Sequence, residues 1–264
     1  MRASPIGVFD SGVGGLTVLR EIEKVLPYEN IIYLGDTARV PYGNKSKPTI
    51  IKFSIENILF LLKKRVKMVV IACNTASALA LNSVKKVFPV PILGVVEAGA
   101  KKALKLSQSK RIGVIGTHST IASKSYERML LQNKKSVRVY TQACPLFVPL
   151  VEEGILNGSI VQESMRMYLK KLKVKGIDTI ILGCTHYPLL KKGIARFLKE
   201  VHIVDSAEEV ANEVRAVLLG QGLLNAGSKK GKKEFYVTDE PKGFSKLAKL
   251  FLKRNITCSK ISNV

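Results

Sequence analysis

The chain of 264 residues has no tryptophan, and its aromatic residues amount to only 6%. Its four cysteines are too few for a disulfide framework at this length, and no two form a C-x-x-C pair, which removes the usual zinc and thioredoxin signatures. They read as separate thiols in a reducing compartment. No signal-peptide core is expected, because Met1 to Pro5 runs straight into Ile6-Gly7-Val8-Phe9 and then Asp10. The longest uncharged stretch, Met68 to Val84, is interrupted by Asn74, Thr75, Ser77, Asn82 and Ser83, unlike a bilayer span. The expectation is a soluble, cytoplasmic protein with no membrane partner. Acidic residues are scarce as well, 20 against 43 Lys and Arg, for a formal net charge of +23. Such a surplus raises nucleic-acid binding as an alternative function class. The positive groups are scattered, however, over 63–67, 101–105, 170–175 and 229–233, with no interleaved aromatics to stack bases. Solvated helix faces explain them better, so no nucleic-acid partner is expected.

What is present fits a globular chain, with 46% hydrophobic and 24% charged residues. Short β-branched runs, Ile6–Phe9, Ile31–Leu34, Val66–Ala72, Val90–Val95, Ile112–Ile115, Val137–Tyr140, Thr179–Leu182 and Val201–Val204, read as buried strands. Amphipathic stretches separate them. The clearest begins near Pro48 and aligns Ile51, Ile55, Ile58, Leu59 and Leu62 on one face. This alternation predicts an α/β fold with mostly parallel sheets. An internal echo at an offset of roughly 110 residues pairs Ile6-Gly7-Val8-Phe9 with Ile112-Gly113-Val114-Ile115 and the run ending at Cys73 with the run ending at Cys184. Two pseudo-symmetric βα domains facing a shared cleft follow from it. The small-residue stretch Glu97-Ala98-Gly99-Ala100 is read as the passage between them, and Asp205-Ser206-Ala207 as a helix-capped return. That divides the chain into 1–97 with 208–264 and an inserted 98–207.

Ligands of parallel α/β sheets bind beyond the carboxyl ends of the strands. There the chain places Asp10-Ser11-Gly12-Val13-Gly14-Gly15, Cys73-Asn74-Thr75, Gly116-Thr117 and Cys184-Thr185-His186. The glycine loop fails as a dinucleotide fingerprint, because Thr17 stands where a glycine is needed, and it lacks the lysine of a P-loop. A Cys184/His186 metal site lacks a recognisable second pair of ligands. One cysteine alone is a small buried hydrophobe as often as anything else. Two at equivalent strand ends of related halves would put thiols on opposite walls of one cleft. That suits inversion of a stereocentre, with a proton acceptor on one face of a carbon and a donor on the other. Asp10, which follows the first strand and is expected beside the first thiol, Glu152, and His186, two residues past the second thiol, are candidates to assist.

Five strings, Phe9–Leu16, Leu34–Gly43, Ala72–Ala76, Ala143–Leu150 and Gly183–Leu189, resemble those of the glutamate racemases of the aspartate/glutamate racemase superfamily. The resemblance runs from about residue 6 to residue 206. It implies racemisation of glutamate without a cofactor, to supply D-glutamate for peptidoglycan, by a homodimer. Cys73 would act on the D-enantiomer and Cys184 on the L-enantiomer, with Asp10, Glu152 and His186 assisting. Asp10, Ser11, Tyr42, Gly43, Asn74, Thr75, Thr117, Thr185 and His186 would bind the substrate. Cys144 reads as structural and Cys258 as incidental. Two departures are Ala98, where the family commonly has proline, and His118 in the Gly116-Thr117 loop. Racemisation of aspartate or another amino acid is the alternative within this class. No lysine occupies a motif position as a pyridoxal Schiff-base candidate.

Overall fold

A computed structural model describes residues 2–132 and 136–261. The chain opens with β1 (Ile6–Asp10), α1 (Leu16–Val25), β2 (Ile31–Gly35), α2 (Lys47–Lys63), β3 (Met68–Ile71), α3 (Asn74–Val87), β4 (Ile92–Gly94) and α4 (Val95–Leu106). It continues with β5 (Arg111–Gly116), α5 (His118–Ala122), α6 (Ser125–Leu131), β6 (Arg138–Ala143), α7 (Phe147–Glu152), α8 (Ser159–Val174), β7 (Thr179–Gly183), α9 (Lys191–Leu198) and β8 (His202–Asp205). Last come α10 (Ser206–Gly220), β9 (Lys233–Val237), α11 (Pro241–Leu252) and β10 (Ser259–Lys260).

The strands form two sheets, β10-β9-β2-β1-β3-β4 and β6-β5-β7-β8, and every pairing in them is parallel. The echo in the sequence is visible as topology. In each sheet the first strand of the unit lies between the second and the third, and the fourth follows the third. β1 therefore corresponds to β5 and β3 to β7. The α/β class and the eight expected strands are all present. β1, β2, β3 and β7 are buried along their whole length, covered on both faces, so their apolar runs are unbroken. β9 extends the first sheet beyond β2, with Ile31 opposite Lys233 and Gly35 opposite Val237. Among the described residues no helix is long and apolar enough to cross a membrane.

One local expectation needs correcting. α2 starts as expected, with the Ser46 hydroxyl capping Thr49 N–H and Pro48 in the first turn. Its buried face is Ile50, Ser54, Asn57, Ile58 and Leu61, whereas Leu59 is 46% exposed. The apolar count placed the face one position away because two inward residues are polar. Ser54 bonds back to the Ile50 carbonyl at 2.7 Å, and Asn57 donates to the Tyr42 hydroxyl at 3.1 Å. The Glu97–Ala100 stretch, read as the passage between the units, lies in the first turns of α4. Small side chains there let α4 lie close against α10. The return into α10 is capped by Asp205, whose Oδ1 accepts Ala207 N–H at 3.0 Å.

Candidate functional site

The carboxyl ends of the two sheets meet around a cavity of about 390 Å³. Cys73, at the end of the β3 run, is the residue immediately before α3, with φ −63° and ψ 120°. Its sulfur lies 3.8 Å from the Ser11 hydroxyl and accepts Ala76 N–H. Cys184 follows β7, and its sulfur is 3.8 Å from His186 Nδ1. The other ring nitrogen, Nε2, is 3.0 Å from Glu152 Oε1 at the end of α7. Both thiols are buried and both line the cavity.

Ser11, Tyr42, Gly43, Asn74, Thr75, Thr117, Glu152, Thr185 and His186 line the same cavity. Asp10 does not reach the wall. It is fully buried beneath the glycine loop, with Oδ2 accepting Gly12 N–H at 3.0 Å and Oδ1 accepting the Thr185 hydroxyl at 3.5 Å. The expectation that it stands directly at the first thiol is thus modified. Its hydrogen bond goes to the loop of the second, and it reaches Cys73 only through its charge. Tyr42 also differs from expectation, because its hydroxyl is donated to Asp36 and turned into the interior, 2% exposed. Arg39 holds Asp36 at 2.6 Å and Asn57 at 3.2 Å, so the Pro41-Tyr42-Gly43 turn is braced from behind.

Contacts between the two units close the site. Thr75, Thr117 and Thr120 form a ring of hydroxyls 3.0 to 3.1 Å apart, joining α3 to the Thr117 turn. Tyr126 donates to Asn74 Oδ1 at 2.7 Å, and Thr17 donates to the Thr185 carbonyl at 3.4 Å. Two glycines permit close approach. A Cβ on Gly14 would stand 2.3 Å from Thr185 Oγ1 and 2.6 Å from His186 Nδ1, and one on Gly43 would stand 2.7 Å from Thr117 Cβ. Thr120, Tyr126 and Gly14 were not singled out from sequence, since their roles are contacts across the chain. The apolar wall, Val40, Pro41, Pro145, Val148 and Pro149, carries no polar signal that would mark it in the sequence.

The electrostatics of the two thiols differ. Burial, followed by the nearby Asp10 charge, pushes Cys73 up to about 12, so it is a thiol at neutral pH. Burial also raises Asp10 above the usual carboxylate range. For His186 burial opposes charging, but the hydrogen bonds to Cys184 and Glu152 prevail and push it up to about 10. At neutral pH the ring is therefore an imidazolium. In that state both N–H groups donate, one toward the Cys184 sulfur and one to the carboxylate. Cys144 is buried outside the cavity with its sulfur 3.7 Å from the Gln142 carbonyl.

Two parallel α/β units, each presenting a cysteine at the corresponding strand end to one cavity, define a paired-thiol class of α/β protein. The chain belongs to the Asp/Glu/hydantoin racemase family, whose model matches residues 6–214. It is 49% identical to a glutamate racemase of Geobacter metallireducens, over 94% of this chain and 92% of the relative. It is also 49% identical to that of Aquifex aeolicus, over 94% and 93%. Its fold superposes on the crystal structure of a glutamate racemase from Francisella tularensis in complex with D-glutamate with a TM-score of 0.94, at 38% identity, covering 99% of this chain and 98% of the other.

Proposed function

We propose that the chain interconverts L- and D-glutamate by proton transfer between two thiols, without an added cofactor. The observation that carries this reading is that Cys73 and Cys184, from corresponding strand ends, line one cavity. The similarity to glutamate racemases over nearly the whole chain supports glutamate as the substrate. Starting from L-glutamate, the Cys184 thiolate takes the Cα proton, and the Cys73 thiol delivers its own proton to the opposite face. The reverse direction exchanges the roles. His186, held by Glu152, passes a proton to and from the Cys184 sulfur, while Asp10 acts on Cys73 through its charge and on the second loop through Thr185.

Ser11, Gly43, Asn74, Thr75, Thr117 and Thr185, with the backbone of Tyr42, hold the ammonium and the two carboxylates. The N–H groups at the start of α3 and the neighbouring threonine hydroxyls favour an anion there. The two units are taken as residues 1–97 with 208–264 and residues 98–207. D-Glutamate made in this way would feed peptidoglycan synthesis in the cytoplasm, from a homodimer. Circular dichroism of L- and of D-glutamate incubated with the purified chain tests the activity. Both solutions should decay to zero ellipticity, and persistence of optical rotation in both would overturn the proposal. L-Aspartate in a parallel incubation should keep its signal.

A further inference from the structure

The sequence motifs end near residue 206 and the family match ends at residue 214, yet a residue far beyond both reaches the site. Phe251, in the last turn of α11, is fully buried and lies against the His186 ring, with centroids 5.8 Å apart and planes at 88°. This is the edge-to-face geometry that aromatic pairs favour. α11 directs Phe244, Ala248, Phe251 and Leu252 inward. Its end is tied to α1 by Arg20, whose Nη1 donates to the Phe251 carbonyl at 3.1 Å.

His186 is thereby confined from three directions. Glu152 holds Nε2, the Gly14 backbone lies against Nδ1 with no room for a side chain, and Phe251 blocks rotation of the ring. Hydrogen bonds at imidazole nitrogens are directed along the ring plane, so they resist tilting less than a perpendicular aromatic neighbour does. The contact to sulfur is already long, at 3.8 Å, and a modest tilt would break it. We propose that Phe251 is a positioning residue for proton transfer at Cys184, contributed by a C-terminal helix that carries none of the recognised motifs. The inference rests on the reading that the chain racemises glutamate with Cys184 acting on the L-enantiomer.

The test is kinetic and uses the full chain. Enantiomers have equal free energy, so kcat/KM must be the same in both directions and cannot report on one thiol alone. Primary isotope effects can. Slower transfer at Cys184 makes removal of deuterium from 2-deuterated L-glutamate more rate-limiting and that from 2-deuterated D-glutamate less so. Phe251→Leu should slow racemisation about tenfold. Its isotope effect should rise from the L side and fall from the D side, with Phe251→Tyr, which keeps the ring, close to the wild type. Leu252→Ala loosens the same helix turn and should leave both isotope effects unchanged. Equal isotope effects in Phe251→Leu and the wild type, or the same directional change in Leu252→Ala, would overturn the assignment. If Phe251→Leu does not fold, Phe251→Met, closer to phenylalanine in volume, carries the same comparison. A wild-type chain inactive on both enantiomers would instead sink the proposed function itself.

Discussion

The surroundings of Cys73 and Cys184 share a backbone plan and differ in chemistry. Both thiols stand after the third strand of their unit, and both open onto the cavity. Cys73 has a serine hydroxyl and a backbone N–H as partners, and no titratable group bonds to it. Cys184 has an imidazole, itself held by a carboxylate. Duplicated topology delivers symmetric positions, and the side chains around them then break the symmetry. In the proposed reaction the resting site holds a protonated thiol on the Cys73 side and a proton relay on the Cys184 side. That is the arrangement needed to take a proton from L-glutamate and return one from the other face.

Removing either sulfur is the most severe way to break the comparison. General acid–base catalysis by one group contributes about 10²–10⁴, so Cys73→Ala and Cys184→Ala should each raise the barrier by about 3 to 5 kcal/mol. Polarimetry on both enantiomers would show it, and a cysteine variant racemising at the wild-type rate refutes a two-thiol mechanism. The next largest effect separates the sides. His186→Asn should slow turnover about a hundredfold and raise the isotope effect for 2-deuterated L-glutamate, with Glu152→Gln causing a smaller change of the same direction. Identical isotope effects from the two enantiomers in His186→Asn would mean that His186 serves both thiols.

This asymmetry was only partly legible in the sequence. Strands buried on both faces, such as Ile6–Asp10 and Thr179–Gly183, announce themselves because their polar residues stand only at an end of the run. The thiols and most of the cavity lining were legible for a related reason, since residues just past a buried strand face the ligand whatever the rest of the fold does. Contacts made across the chain carry no local signal. Asp10 lies next to Ser11 in sequence but bonds to Thr185, and Phe251 meets His186 from a helix 65 residues away in sequence. α2 misled because Asn57 faces inward to hold Tyr42, a polar residue on a face that periodicity assigns to apolar ones.

A smaller effect concerns the wall the two units share. Thr75→Val and Thr117→Val each remove one hydroxyl from the threonine ring that joins α3 to the Thr117 turn. A hydrogen bond to a charged ligand group is worth about 1.5 to 3 kcal/mol, so KM should rise at least about tenfold while isotope effects from the two sides stay matched. A change in the ratio of the isotope effects would place these hydroxyls on one thiol's side rather than on the shared substrate.

The smallest effect is on stability, and it separates His186 from Cys73 by pH. His186 ordinarily titrates near 6.5 and is pushed up to about 10 in the fold, so between these values the folded chain keeps a proton that the unfolded chain has released. Its stabilising contribution is complete below about 6.5, shrinks as pH rises and is gone above about 10. Cys73, raised from 9.0 to about 12, adds a loss of the same sign that begins only above pH 9. Urea midpoints measured from pH 6 to pH 10 should therefore converge between the wild type and His186→Asn as pH rises. A gap between the two that widens with pH would show that the imidazole is neutral in the resting fold, and the proton relay beside Cys184 would lose its charge.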